Sequence, residues 1–317
     1  MKEKVIYKLK VGSQLYGTST PESDTDYGGV FLPTSKQLLG IHKIKELDLS
    51  TNKSNTKNTK DDIDEKYMAL DNFLYLLSQN NPTLLEYLYP SEDALLQDSE
   101  IMKELRDNAD KIITKRVWKS FSGYAMAQKK KLMTKRERFL NLQKGIKLIE
   151  NSSWDQTDKK VLLDEVTASL LNETMKYYKS SKDNCNSFTK GHNLKVVYEK
   201  LIAEYDKYGY RLKSDSFKKL LYDCKFGQHL LRLLHEGREL LETGKLTFPI
   251  SGKAHTDIMR VRNEEVSYEE LLTLYQEYYK LCEEAADKTT LRDKPDFKWI
   301  DKFQHRVYLK HIKEENE

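Results

Sequence analysis

At 317 residues, 38% hydrophobic and 33% charged, the chain is long enough for one large domain or two, and its composition suits a soluble, helix-rich protein. With 54 basic and 50 acidic residues the net charge is only +4, which does not by itself imply nucleic acid and leaves that role to local clusters. Cys185, Cys224 and Cys282 form no CxxC pair, so neither a zinc site nor a disulfide framework is expected, and reduced thiols fit a cytoplasmic protein.

Met1-Lys2-Glu3-Lys4 leads straight into a strand rather than a signal peptide's apolar region, and no run of eighteen apolar residues offers a membrane span. Val5 to Val11 alternates apolar and polar residues, the period of a half-buried strand. Gly12 can then adopt a backbone conformation closed to other residues, and Ser13 brings a hydroxyl and a free N–H where a helix begins, a natural seat for a phosphate. A loop of Thr, Ser and Pro follows, then Asp24-Thr25-Asp26-Tyr27 entering a second apolar run. If Thr25 to Leu32 is a strand, Asp24 and Asp26, two residues apart, leave the sheet on one side, close enough to share a hard divalent cation.

This string, Gly-Ser-x-x-Tyr-Gly-Thr-x-x-Pro-x-Ser-Asp-x-Asp-Tyr-x-Gly-Val-Phe, resembles the active-site signature of the DNA polymerase β nucleotidyltransferase superfamily. More narrowly, it is similar to the predicted nucleotidyltransferases associated with RNA repair. The resemblance implies Mg²⁺ as a pair of ions, with Mn²⁺ as an alternative, and a nucleoside triphosphate such as ATP as substrate. Gly12 and Ser13 would bind triphosphate oxygens, and Asp24 and Asp26 would be metal ligands.

A two-metal phosphoryl transfer needs a third carboxylate. After a polar loop over residues 50–61, Asp62-Ile63-Asp64-Glu65 opens another strand with Asp62 and Asp64 on one face and Glu65 on the other. In families of this kind the acidic residue starts a strand that runs into a helix containing a Phe, here Phe73. That spacing favours Asp64 as catalytic residue and metal ligand, with Asp62 as the fallback. Asn81 is expected to cap a helix with Pro82 at its first position. The Asn-Pro-x-x-Leu-Glu segment ending at Glu86 reads as a packed corner beneath the site.

From Ile101 onward nearly every segment reads as helix, interrupted by an internal loop near 183–191. Leu246 to Pro249 and Ile258 to Arg262 read as short extended or turn segments. A basic run through Lys129, Lys130, Lys131, Lys135, Arg136, Arg138, Lys144 and Lys147 is a candidate polynucleotide surface, with Phe121 and Tyr124 as candidate stacking groups. Lys225, His229 and Arg232 sit at i, i+4 and i+7 on one helical stripe, resembling a Lys-x-x-x-His-x-x-Arg-Leu-Leu helix of the same family. By that resemblance they would bind the triphosphate.

The expected architecture is α+β: a small mixed β-sheet nucleotidyltransferase domain over residues 1–95, then a larger α-helical nucleotide- and acceptor-binding domain over 96–317. The expected activity moves a nucleoside monophosphate onto an acceptor hydroxyl, with an RNA 3′ end, that of tRNA included, as the leading acceptor and no membrane partner. Nucleotidylation of a protein or small molecule, and an inactive RNA-binding protein, are the alternatives. Oligomeric state has no signature in the sequence.

Overall fold

The computed structural model describes residues 3–21, 23–51, 63–152, 154, 160–174, 188–211 and 220–317. Asp62, Cys185 and most of the 183–191 loop lie outside the described residues. The protein is α+β, with a small mixed sheet near its N-terminus followed by a larger helical region.

Five strands, β1 (Lys4–Val11), β2 (Asp26–Leu32), β3 (Glu46–Asp48), β4 (Asp64–Ala69) and β5 (Leu95–Gln97), stand in the order β3-β4-β2-β1-β5. β1 pairs antiparallel with β2 and with β5, and β3 antiparallel with β4. β2 and β4 run parallel. That central parallel pair forces the chain to cross back between them, and it does so through the short helix α2 (Ser35–Leu39) and strand β3. Its parallel direction also puts the starts of β2 and β4, both aspartates, at the same end of the sheet.

β2 is central, and its Gly28 to Leu32 stretch is buried throughout. Helix α3 (Leu70–Ser78) buries Leu70, Phe73, Leu74 and Leu77, an i, i+3, i+4, i+7 stripe, and packs against β2 and β4. Burying four such side chains is worth several kcal/mol, roughly 1.5–3 kcal/mol each. The Asn81 side chain caps α4 (Pro82–Leu85) by accepting from the Leu84 N–H, with Pro82 at the first helical position. Tyr7, fully buried on β1, satisfies its hydroxyl by donating to the Tyr87 carbonyl at 2.8 Å.

Among the described residues the further helices are α5 (Glu100–Asp107), α6 (Arg116–Glu150), α7 (Glu165–Thr174), α8 (Leu194–Arg211), α9 (Cys224–Thr243), α10 (Gly252–Arg262), α11 (Tyr268–Lys288) and α12 (Phe297–Asn316). Helix α10 corrects the expectation of an extended or turn segment at Ile258 to Arg262. Ala254, Ile258 and Val261 are buried at i, i+4 and i+7, a helical period that a five-residue reading of the apolar run is too short to reveal. Among the described residues no helix is long and apolar enough to cross a membrane.

The chain divides into two compact units. The first comprises Met1–Met126, His229–Arg260 and Leu272–Glu317, so the sheet shares a unit with helices from the far end of the sequence. The second comprises Ala127–Gln228 and Val261–Leu271. Its own core includes Leu142, Ile146, Ile149, Leu163, Leu171, Leu194 and Leu201.

Candidate active site

The site is built at the end of the sheet where β1 finishes and β2 and β4 begin. Val11 pairs with Asp26, so the chain leaves β1 directly opposite the first residue of β2. Gly12 turns it there with φ +64° and ψ −141°, a conformation open to glycine. A Cβ at Gly12 would come within 3.0 Å of Asp26 Oδ2, so absence of a side chain also keeps the space in front of that carboxylate open. Ser13 then begins α1 (Ser13–Tyr16), a single turn closed by Gly17 in the left-handed region at φ +72°. The Tyr16 N–H donates to the Gly12 carbonyl at 3.1 Å and the Thr18 N–H to the Ser13 carbonyl at 3.0 Å.

In the parallel ladder Asp26 pairs with Asp64. Partners in register point their side chains to the same face, about 4.8 Å apart along the hydrogen-bonding direction. Asp24 lies two residues before Asp26, and all three aspartates are half-buried. The Asp64 carboxylate accepts from the Ser50 hydroxyl at 2.9 Å and has the Lys66 ammonium at 3.6 Å. Glu65 takes the opposite face, where Lys8 binds it at 2.7 Å and the Tyr67 hydroxyl donates to it. Burial raises the Glu65 pKa, but the Lys8 and Tyr67 contacts outweigh it and hold the carboxyl below the usual range. Among the described residues no three His, Cys, Asp or Glu side chains are drawn together tightly enough to enclose a metal ion. Two strands bring Asp26 and Asp64 alongside one another, and the Asp64 side chain is engaged with Ser50.

The stripe on α9 is divided. Lys225 is exposed and belongs to the second unit. His229 and Arg232 belong to the first, where the Arg232 guanidinium donates to His229 Nδ1 at 2.8 Å. Arg232 was expected to meet phosphate, but its guanidinium is turned into the protein interior. Nη1 donates to Glu86 at 2.6 Å and to Glu236 at 2.7 Å, so its charge is already answered by two carboxylates. Glu236 and Tyr16 are the members of this cluster that the sequence reading left without a role, and Glu86, expected only as part of a packed corner, holds the guanidinium. The Arg232–Glu236 spacing of four on a helix was the available signal; nothing in the sequence tied either residue to Glu86 or Tyr16.

The basic run is partly consumed within the second unit. Lys135 pairs with Asp223 at 3.3 Å, and Arg136 stacks over Tyr268 and lies 3.9 Å from Glu269. Lys130, Lys131, Lys144 and Lys147 are exposed. Of the two expected stacking groups, Phe121 is fully buried and cannot meet a base, whereas Tyr124 is exposed, with its ring edge-on to His229 at 5.2 Å.

The structure thus brings a strand, a Gly-Ser turn and two aspartates paired across parallel strands to one end of the sheet. Residues 1–146 match the model of the RNA repair pathway DNA polymerase beta family, RlaP, which is the family the signature string resembled. The match covers the whole sheet and the first helices, a little under half of the chain. A relative in Enterobacteria phage T4, an uncharacterized 38.9 kDa protein in the nrdC-mobD intergenic region, is 25% identical over 338 residues. That alignment spans 96% of this chain and 97% of the relative, so the likeness extends through the helical region. No solved structure matches.

Proposed function

We propose that the protein transfers a nucleoside monophosphate from a nucleoside triphosphate to an RNA 3′ hydroxyl, releasing pyrophosphate. The single observation that supports this best is the register of Asp26 against Asp64 at the sheet end where Gly12 leaves β1. The donor set suits hard divalent cations: three half-buried carboxylates, oxygen only, with like charges that repel one another. Asp24 and Asp26 would hold two Mg²⁺ ions, with Asp64 completing the acceptor-side one. When bound, the metal supplies Lewis acidity at the phosphoryl group and lowers the pKa of the attacking hydroxyl.

The chain's own contribution is positional. Gly12 and the N–H groups opening α1 receive triphosphate oxygens, and the missing Cβ at Gly12 admits them beside Asp26. Asp64 takes the proton of the acceptor hydroxyl, whose oxygen bonds to the α-phosphorus as the bond to pyrophosphate breaks. His229 is the member of the α9 stripe that would meet the β- and γ-phosphates. Lys130, Lys131, Lys144 and Lys147 would neutralise RNA phosphates.

The test is incubation of the pure protein with each labelled triphosphate, Mg²⁺ and either total tRNA or a protein extract. Label on RNA, with release of pyrophosphate, is the expected outcome. Label on protein would replace the acceptor. Salt-sensitive RNA binding with no use of any nucleotide would remove the enzyme reading.

A further inference from the structure

Arg232 joins three pieces of chain that are far apart in sequence and all within the first unit. Its guanidinium lies 3.8 Å over the ring of Tyr16, the last residue of α1 and three beyond Ser13. The Tyr16 hydroxyl donates to one oxygen of Glu86 at 2.6 Å, and Arg232 Nη1 donates to the other at 2.6 Å. Glu86 follows the Asn81-Pro82 corner, and Glu236 sits one turn beyond Arg232 on α9. Arg232 is 6% exposed, Glu86 1% and Glu236 0%.

Such a cluster is an expensive way to gain stability. Removing several charges from water costs several kcal/mol per ion, and apolar side chains of similar volume often serve stability as well or better. What charge-assisted hydrogen bonds provide, and apolar contacts do not, is a fixed direction and distance. Here that direction runs to the ring and hydroxyl of Tyr16.

The backbone of the same turn is held as well. The Ile250 N–H donates to the Tyr16 carbonyl at 3.1 Å, and His255 Nε2 lies 3.1 Å from the Gly17 carbonyl. Gly17 sits so close to Pro249 that a Cβ there would approach the proline Cβ to 2.6 Å. The Phe248 ring stands 5.8 Å from that of Tyr16. Helix α1, a single turn that could not hold its shape alone, is therefore fixed through its side chain, its carbonyls and its closing glycine.

We propose that Arg232 is a positioning residue for nucleotide binding: acting through Glu86 and Tyr16, it holds α1, and with it Gly12 and Ser13, in register with the Asp24, Asp26 and Asp64 edge. The nucleotide in this statement rests on the function proposed above; the hold on α1 does not. Burial pushes the Glu236 carboxyl up, against the pull of Arg232. Tyr16, His229 and Glu239 are the other titratable groups around the cluster.

The test compares wild type with Arg232→Met, Glu86→Gln, Tyr16→Phe and Arg232→Lys. Amide hydrogen exchange over residues 12–18 is read without ligand, and KM and kcat for the triphosphate are read with Mg²⁺. In folded Arg232→Met and Glu86→Gln the Tyr16 and Thr18 amides should exchange at least tenfold faster, with exchange in the second unit unchanged. KM should rise tenfold or more, with kcat falling less, and Arg232→Lys should recover part of both. If Arg232→Met does not fold, Glu86→Gln and Tyr16→Phe carry the same comparison. Unchanged exchange and unchanged KM in the folded variants would overturn the proposal. Were the wild type to use no nucleotide at all, the function reading would fall by itself, and the exchange data would still decide whether Arg232 holds α1.

Discussion

Asp26 carries two opposed demands. It stands beside Asp64 in the ladder, where two like charges raise the energy of the folded state, and it faces the space that Gly12 leaves open. Asp26→Asn relieves the repulsion and removes the ligand. We expect labelled product to fall by more than about 100-fold while the thermal midpoint stays level or rises. A parallel loss of activity and stability would instead mark Asp26 as structural. Glu236 gives a second prediction with a definite sign. Its folded-state pKa, about 8, lies above the ordinary value of 4.5, so the folded protein binds that proton more tightly than the unfolded chain does. The stability it contributes is fully present below about pH 4.5 and is lost as pH rises through about 8. Glu236→Gln keeps an acceptor for Arg232 and has nothing to ionise. The wild-type thermal midpoint should therefore fall relative to that of the variant between pH 5 and pH 8, by a few °C; parallel curves would show that Glu236 does not titrate there.

The element that concentrates these effects is α1 with its two glycines. Gly12 admits the turn out of β1 and spares Asp26; Gly17 closes the turn and lets Pro249 approach. A left-handed conformation costs a residue with a side chain roughly 1–2 kcal/mol, before any overlap with Pro249 is counted. Gly17→Ala should lower unfolding free energy by at least about 1 kcal/mol in denaturant titration and weaken triphosphate binding as α1 shifts. Unaltered stability and binding would mean that the turn re-forms without its glycine. The sequence made the strand, the Gly-Ser turn and the Asp-x-Asp legible because each is a local pattern of period two or of residue type. It could not assign Arg232, because an i, i+7 stripe says which residues share a helix face and not whether that face meets water or protein. Phe121 was misjudged for the same reason: an aromatic beside lysines looks like a stacking group until burial is known.

For the molecule as a whole, the exposed lysines of α6 bear on the acceptor. If Lys130, Lys131, Lys144 and Lys147 each neutralise one phosphate of a single strand, replacing all four by Ala should flatten the salt dependence of RNA binding by up to roughly 3 in log–log slope. A slope that does not move would place the RNA elsewhere. By itself the sequence determined the strand–turn–strand signature, the alternation that puts Glu65 opposite Asp64, the cap at Asn81 and the helical character of most of the chain. All of these follow from periodicity and backbone chemistry within a dozen residues. Only the tertiary structure decided that Asp64 stands beside Asp26, that residues 229–260 share a unit with the sheet, and that Arg232 is spent on Glu86, Glu236 and Tyr16. Strand register and buried charge pairing depend on which distant segments meet, and that is set by how the apolar faces of the whole chain pack together.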